Sequence, residues 1–254
     1  MTKIFQCKDL DKLDEKGKLK HLFKKLHRQI NEETWLGSGS EAAAFYYDHE
    51  VIKVCPKRIR YFSEAGHSSA DLFREQVNKL QPFLVPVKKI LYEDKHVVAY
   101  TQEKCQLLKD EDYKSPYIVI SFLQLIIFMF ENNQLVSDIG IHNLGLLDGQ
   151  LVVFDYHGLH PITRNGHVRR HKWWKRPITN LSNFLEYIKH KGNGFSDNYK
   201  KFLSGLPECR NDRDLQRLTK LLYKCLDILL DDAHLHDKEW KKIFARNKLL
   251  SSTL

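Results

Sequence analysis

The chain has 254 residues, 42% of them hydrophobic and 29% charged, with a formal net charge of +9. That is enough apolar material for one large domain or two small lobes, which excludes disorder as the default. No stretch reaches the ~18 apolar residues of a membrane-spanning helix. The excess of Lys and Arg favours anionic partners without choosing among nucleotide phosphates, acidic surfaces and nucleic acid.

Five cysteines (Cys7, Cys55, Cys105, Cys209 and Cys225) lie far apart and form no C-x-x-C pair. The odd count and the spacing argue against a disulfide framework or a zinc site and imply a reducing, cytoplasmic compartment. No apolar run follows the first charges, so a secretory signal is not predicted.

Between residues 10 and 30, Leu19, Leu22, Phe23, Leu26 and Ile30 recur at helical spacing. Lys18, Lys20, Lys24, Lys25 and Arg28 fall largely elsewhere, so a basic amphipathic helix is predicted within an extension covering 1–33. Such a helix suits an anionic membrane surface or packing on the next lobe. Apolar runs at 42–47, 51–55, 85–91 and 97–101 then predict four or five antiparallel strands, with polar turns at 48–50 and 93–95. One helix interrupts them at 69–80, where Leu72, Phe73, Gln76, Val77 and Leu80 share a face after a Ser or Asp cap and Pro82 ends the run.

After 104 the pattern becomes mainly helical. A buried core helix is predicted at 117–132, with later helices at 180–189, 198–203 and 212–230, the last carrying the stripe Leu215, Leu218, Leu222, Cys225 and Leu229. The predicted class is α+β: a small antiparallel β lobe with one helix over 34–104, and a larger, mainly helical lobe over 105–254, with ligand space between lobes.

Several residues in this frame carry chemistry. Gly37-Ser38-Gly39-Ser40-Glu41-Ala42 is a turn of small residues between strands, where a backbone can approach phosphates closely. Lys53 is the one charge inside the apolar run 51–55, and a buried ammonium needs a partner or a phosphate. Glu75, in the middle of the 69–80 helix, is the natural partner. Asp138 opens a loop after a short apolar run, and Gly140 permits a tight backbone there. Asn143 precedes a strand, Asp148-Gly149 is a hairpin turn, and the apolar strand 151–154 delivers Asp155 at its end.

The order of glycine turn, strand Lys, helix Glu, D-x-x-x-x-N and D-x-x-G resembles the protein-kinase-like superfamily over residues 34–158. The resemblance implies a two-lobed kinase-like fold that binds ATP with Mg²⁺ or Mn²⁺ and moves the γ-phosphate to a hydroxyl acceptor. It makes Asp138 the catalytic base and Lys53 the phosphate-binding lysine held by Glu75. Gly37, Ser38, Gly39, Ser40 and Ala42 become the phosphate cover, Gln102, Glu103 and Lys104 the hinge facing adenine, and Asn143 and Asp155 the metal ligands.

The chain departs from the pattern at several points. Val136-Ser137 replaces His-Arg before the catalytic Asp, Gly140 stands where Ser/Thr kinases have Lys, Tyr156-His157 replaces Phe before the glycine, and no Ala-Pro-Glu follows. These losses resemble compact bacterial and viral kinase-like proteins and leave room for a small-molecule, lipid-linked or protein acceptor. A catalytically silent binding module and nucleotidyl transfer on the same fold stay open as alternatives.

Residues 167–176, His-Val-Arg-Arg-His-Lys-Trp-Trp-Lys-Arg, fit either a polyanion, nucleic acid or anionic membrane contact, or a helix start with inward tryptophans. His234 and His236 have metal-like spacing without matching ligands elsewhere.

Overall fold

The computed structural model describes residues 7–39, 42–57, 69–136, 139–156, 159–168, 174–192, 203 and 205–232. They fall into two compact units: Met1–Gln106 with Val152–Leu159, and Leu107–Leu151 with His160–Leu254.

In the first unit the predicted basic helix is two helices, α1 (Lys8–Glu15) and α2 (Lys20–Leu26). Gly17 divides them with a φ of +66°, a left-handed setting that glycine adopts without steric cost. Its N–H donates to Asp14 O at 2.7 Å and that of Lys18 to Leu13 O at 2.9 Å, the bond pair that closes a helix end.

Five antiparallel strands follow: β1 (Trp35–Ser38), β2 (Ala43–Tyr47), β3 (Glu50–Pro56), β4 (Val87–Glu93) and β5 (Val97–Glu103), in the spatial order β1-β2-β3-β5-β4. Strand alternation turns Ala43, Phe45, Ile52, Val54, Val97 and Ala99 to one face, where they form a core with Leu10, Leu19, Leu22, Leu26 and Ile30. Each large side chain buried there contributes about 1.5–3 kcal/mol. The apolar stripe of α2 is therefore sheet-packing surface, and Lys18, Lys20, Lys24 and Arg28 stay exposed on its outer side.

Helix α3 (Ala70–Asn78) starts where the Ser69 hydroxyl accepts from Leu72 N–H. The Glu93 carboxylate accepts from Ala70 N–H at 3.2 Å and pairs with Lys57. At the other end the Asn78 side chain bonds both backbone groups of Val87, at 3.0 and 3.1 Å. Side-chain bonds to β4 thus hold both ends of α3. The returning segment 152–156 joins this unit through Val153 N–H to Phe83 O at 2.8 Å and Val85 N–H to Val153 O at 3.1 Å.

The second unit is built on α4 (Pro116–Glu131), capped by the Ser115 hydroxyl with Pro116 in its first turn. Apolar residues surround it, including Ile118, Phe122, Ile126 and Phe130, as a helix inside a core requires. Among the described residues no helix is long and apolar enough to cross a membrane. Strands β6 (Leu144–Leu147) and β7 (Gln150–Val153) form a hairpin, and positive φ values at Asp148 (51°) and Gly149 (79°) match the tight turn that fits strand twist.

Helices α5 (Lys175–His190) and α6 (Asp212–Asp232) complete the unit, with Phe122 of α4 stacked on Phe184 of α5 at 4.4 Å. Helix α5 starts at Lys175 rather than at 180, and Trp174 just before it is buried, so that tryptophan packs inward. The remainder of the basic segment at 169–173, the residues 198–202 predicted as helix, and His234 and His236 lie outside the described residues.

Candidate nucleotide site

The sheet face turned away from α1 and α2 carries the chemistry. Register pairs Gly37 with Ala44, Ala44 with Lys53 and Lys53 with Tyr100, so these four residues form one row across β1, β2, β3 and β5. Hydrogen and methyl are the only side groups on one flank of Lys53, which leaves room beside its ammonium; Tyr100 walls the other flank.

Gly37 has a φ of +156°, and a Cβ built there meets nothing within 4 Å, so its backbone setting rather than crowding calls for glycine. Gly39 N–H donates to Ala42 O at 2.9 Å and closes the hairpin. Ser38 pairs with Ala43 and so belongs to the core-facing set, where its hydroxyl oxygen is buried without a hydrogen-bond partner among the described residues. Ser40 lies outside the described residues.

The Lys53 ammonium donates to Asp155 Oδ1 and to Phe154 O, both at 2.7 Å. The Lys53 side chain is 8% exposed and that of Asp155 30%. Two residues 102 positions apart thus form an ion pair that is dry at the amine and open to solvent at the carboxylate.

The expected pairing of Lys53 with Glu75 is not the one formed. Helix α3 turns Ala70, Phe73 and Val77 inward, and Glu75 is two residues from both Phe73 and Val77, ~200° around the helix. Glu75 is consequently exposed. With both ends of α3 held on β4, the carboxylate left to answer Lys53 is Asp155.

The groups around the pair are neutral. Burial pushes the Cys55 thiol up to about 12, against the lowering effect of Lys53. Burial also drives the Tyr100 and Tyr156 hydroxyls well above their ordinary value. Each stays protonated at neutral pH.

Gln102 is buried, its Nε2 donating to the Tyr156 hydroxyl at 2.5 Å and to Val85 O at 3.3 Å, so this side chain does not face open space. Glu103 pairs with Lys88 at 2.8 Å, and Lys104 lies 4.6 Å over the Tyr46 ring.

Asn143 belongs to the second unit, half-buried at the end of the turn Ile141–Asn143 that leads into β6. Its N–H donates to Gly140 O at 2.9 Å. Asp138 lies outside the described residues. The Tyr156–Gln102 network was missed by sequence reasoning; its signal was a Tyr in place of Phe after Asp155, whose hydroxyl needs a partner once buried.

Comparison with solved structures matches the chain to a crystal structure of the BubR1 kinase domain, with a TM-score of 0.53 and 11% identity. The match covers 85% of this chain and 84% of that one. The fold is kinase-like. No family model and no curated protein matches the sequence. On a kinase-like fold, the first unit supplies a glycine turn, a strand lysine and a strand-end aspartate, in that chain order.

The donor set suits Mg²⁺ bound to a nucleotide. That ion uses one or two protein oxygen ligands and takes the rest from phosphate and water. Asp155 offers a hard, part-exposed carboxylate, and among the described residues no three His, Cys, Asp or Glu side chains gather into an all-protein metal cage.

Proposed function

We propose that this protein is an ATP-dependent phosphotransferase that moves the γ-phosphate to a hydroxyl acceptor on a small molecule, a lipid-linked group or a protein. The observation that carries the reading is the 2.7 Å Lys53–Asp155 pair on the sheet face turned away from α1 and α2, beside the Gly37–Ala44 strip. A cation and a carboxylate so placed serve opposite ends of one ligand, phosphate oxygens for Lys53 and their counter-ion for Asp155. Magnesium or manganese at Asp155 would neutralise phosphate charge. Lys53 orients and offsets the phosphates, the 37–42 backbone covers them, and Asp138 takes the acceptor proton by the motif it belongs to.

The test is transfer of label from γ-labelled ATP to protein, sugar and inositide acceptors with Mg²⁺ or Mn²⁺, with Asp155→Ala as control and α-labelled ATP alongside. Transfer at least tenfold above the control supports the proposal, and label arriving from the α position instead identifies nucleotidyl transfer. A second reading, a silent nucleotide-binding module, draws on one observation: Lys53 is satisfied by Asp155 and Phe154 while Glu75 points to solvent. ATP binding without metal-dependent turnover in any acceptor would select it.

A further inference from the structure

Asp155 is the last charged group before a buried tyrosine whose hydroxyl is bonded on two sides. Tyr156 donates to Val85 O at 2.6 Å and accepts from Gln102 Nε2 at 2.5 Å, while Gln102 Nε2 also reaches Val85 O at 3.3 Å. All three residues are buried, with exposures of 3%, 2% and 0% for Tyr156, Gln102 and Val85. The Tyr156 ring packs on Phe73 of α3 at 6.2 Å, and Phe73 packs on Tyr100 at 5.8 Å. Backbone bonds fix the chain as far as Val153, two residues before Asp155. Beyond that point, the Lys53 ammonium on Phe154 O and Asp155 Oδ1 and the Tyr156 hydroxyl on Val85 O restrain the segment.

We infer that Tyr156 and Gln102 are positioning residues for the site: their shared bond to Val85 O sets the direction in which Asp155 leaves the sheet and holds its carboxylate on Lys53. The sheet itself dictates the arrangement. Gln102 and Tyr100 alternate along β5 onto the same face as Lys53, so the glutamine stands one row from the ion pair and reaches the residue that follows Asp155. A phenylalanine at 156 would keep the ring contact with Phe73 but lose the bonds to Val85 and Gln102. It would also leave two buried polar groups with one partner fewer, a costly state in a dry interior. This inference rests on the reading that Lys53 and Asp155 serve a nucleotide, but its central claim, that the lock holds the pair, can be read without one.

The experiment is competitive amine labelling of the full chain at trace reagent, with the rate at Lys53 read by mass spectrometry relative to the exposed lysines Lys20 and Lys24. Wild type is compared with Tyr156→Phe, Gln102→Met and, as the open-pair reference, Asp155→Asn. Both lock variants are expected to raise the relative Lys53 rate at least threefold, toward the reference. A smaller rise in both overturns the inference. A merely structural role would lower the melting temperature and leave the relative rate unmoved, and two separate variants guard against one failing to fold. A parallel titration of MgATP tests the underlying reading. If wild type binds no MgATP, the phosphotransferase reading fails while the labelling result still decides the lock.

Discussion

The two faces of the five-stranded sheet share the same strands and obey opposite rules. One, covered by α1 and α2, is mainly apolar: Phe45, Ile52, Val54 and Ala99 are all fully buried there. The other carries Lys53, Cys55, Tyr100 and Gln102, each bonded to a named partner. Neighbours in β3 therefore do unrelated work, Ile52 holding the fold together and Lys53 holding a charge. The period of two in a strand makes this separation possible, because a residue can change on one face without altering the packing list of the other.

The largest expected effect comes from the helix-covered face. Phe45→Ala removes a fully buried ring and leaves a cavity between α2 and the sheet, costing about 3–5 kcal/mol. Urea unfolding should show that loss while the relative Lys53 labelling rate of the folded protein stays at the wild-type value. A changed rate would show that the faces are coupled and break the comparison.

Lys53→Met is the matching change on the other face. It removes one partner of the pair, but solvent reaches the Asp155 carboxylate, so the loss should fall to about 1–2 kcal/mol rather than that of a fully buried broken pair. Protection by MgATP in thermal unfolding should vanish in this variant and persist in Phe45→Ala at a temperature where both are folded. A stability loss for Lys53→Met as large as that for Phe45→Ala would mean that the charge, not the core, holds the sheet.

These contrasts also explain what could be read in advance. The strands, the Ser69-capped helix, the apolar helix α4 and the turn at Asp148-Gly149 were legible because each rests on local chemistry: alternation, a cap, a glycine. Glu75 was misjudged for a physical reason. A motif gives the order of residues but not the rotation of a helix, and in α3 the stripe through Ala70, Phe73 and Val77 fixes that rotation. Lys53 announced that it needed an anion; which carboxylate supplied it depended on packing. The basic helix of residues 10–30 allowed a membrane surface beside the favoured packing on the next lobe until the sheet supplied an apolar partner, since an amphipathic pattern records a buried stripe without saying what buries it. Ser38 shows the same limit, because the bulge between Trp35 and Gly37 decides its face and leaves no mark in composition.

A thiol probe sharpens the site-side face. With its pKa at about 12, Cys55 carries a thiolate fraction of about 10⁻⁴ at pH 8, against about a tenth for an ordinary thiol of pKa 9.0. Its alkylation in the folded protein should be at least ~10³-fold slower than in urea, and should quicken about tenfold per pH unit between 8 and 10. Fast alkylation at pH 8 would mean that the face is wet and the half-buried Cys55 thiol is not held up in pKa.

The smallest effect belongs to a residue serving neither face, Asp94 in the turn between β4 and β5. Burial acts to raise its pKa, but the N–H groups of His96 and Val97 and the Tyr92 hydroxyl outweigh it and hold the carboxyl below its ordinary value of 3.8. A depressed folded-state pKa means that the charge stabilises the fold above 3.8 and that this contribution is lost as pH falls through the lower, folded value. The side chain is half-buried and still reached by solvent, so the contribution should be about 1 kcal/mol or less after screening. Asp94→Asn keeps Oδ1 for the same N–H groups and removes the charge together with the Oδ2 that accepts from the Tyr92 hydroxyl. Its urea-unfolding free energy should lie slightly below wild type at pH 7 and converge with it at acid pH, and a gap that stays constant across that range would assign the effect to turn geometry instead.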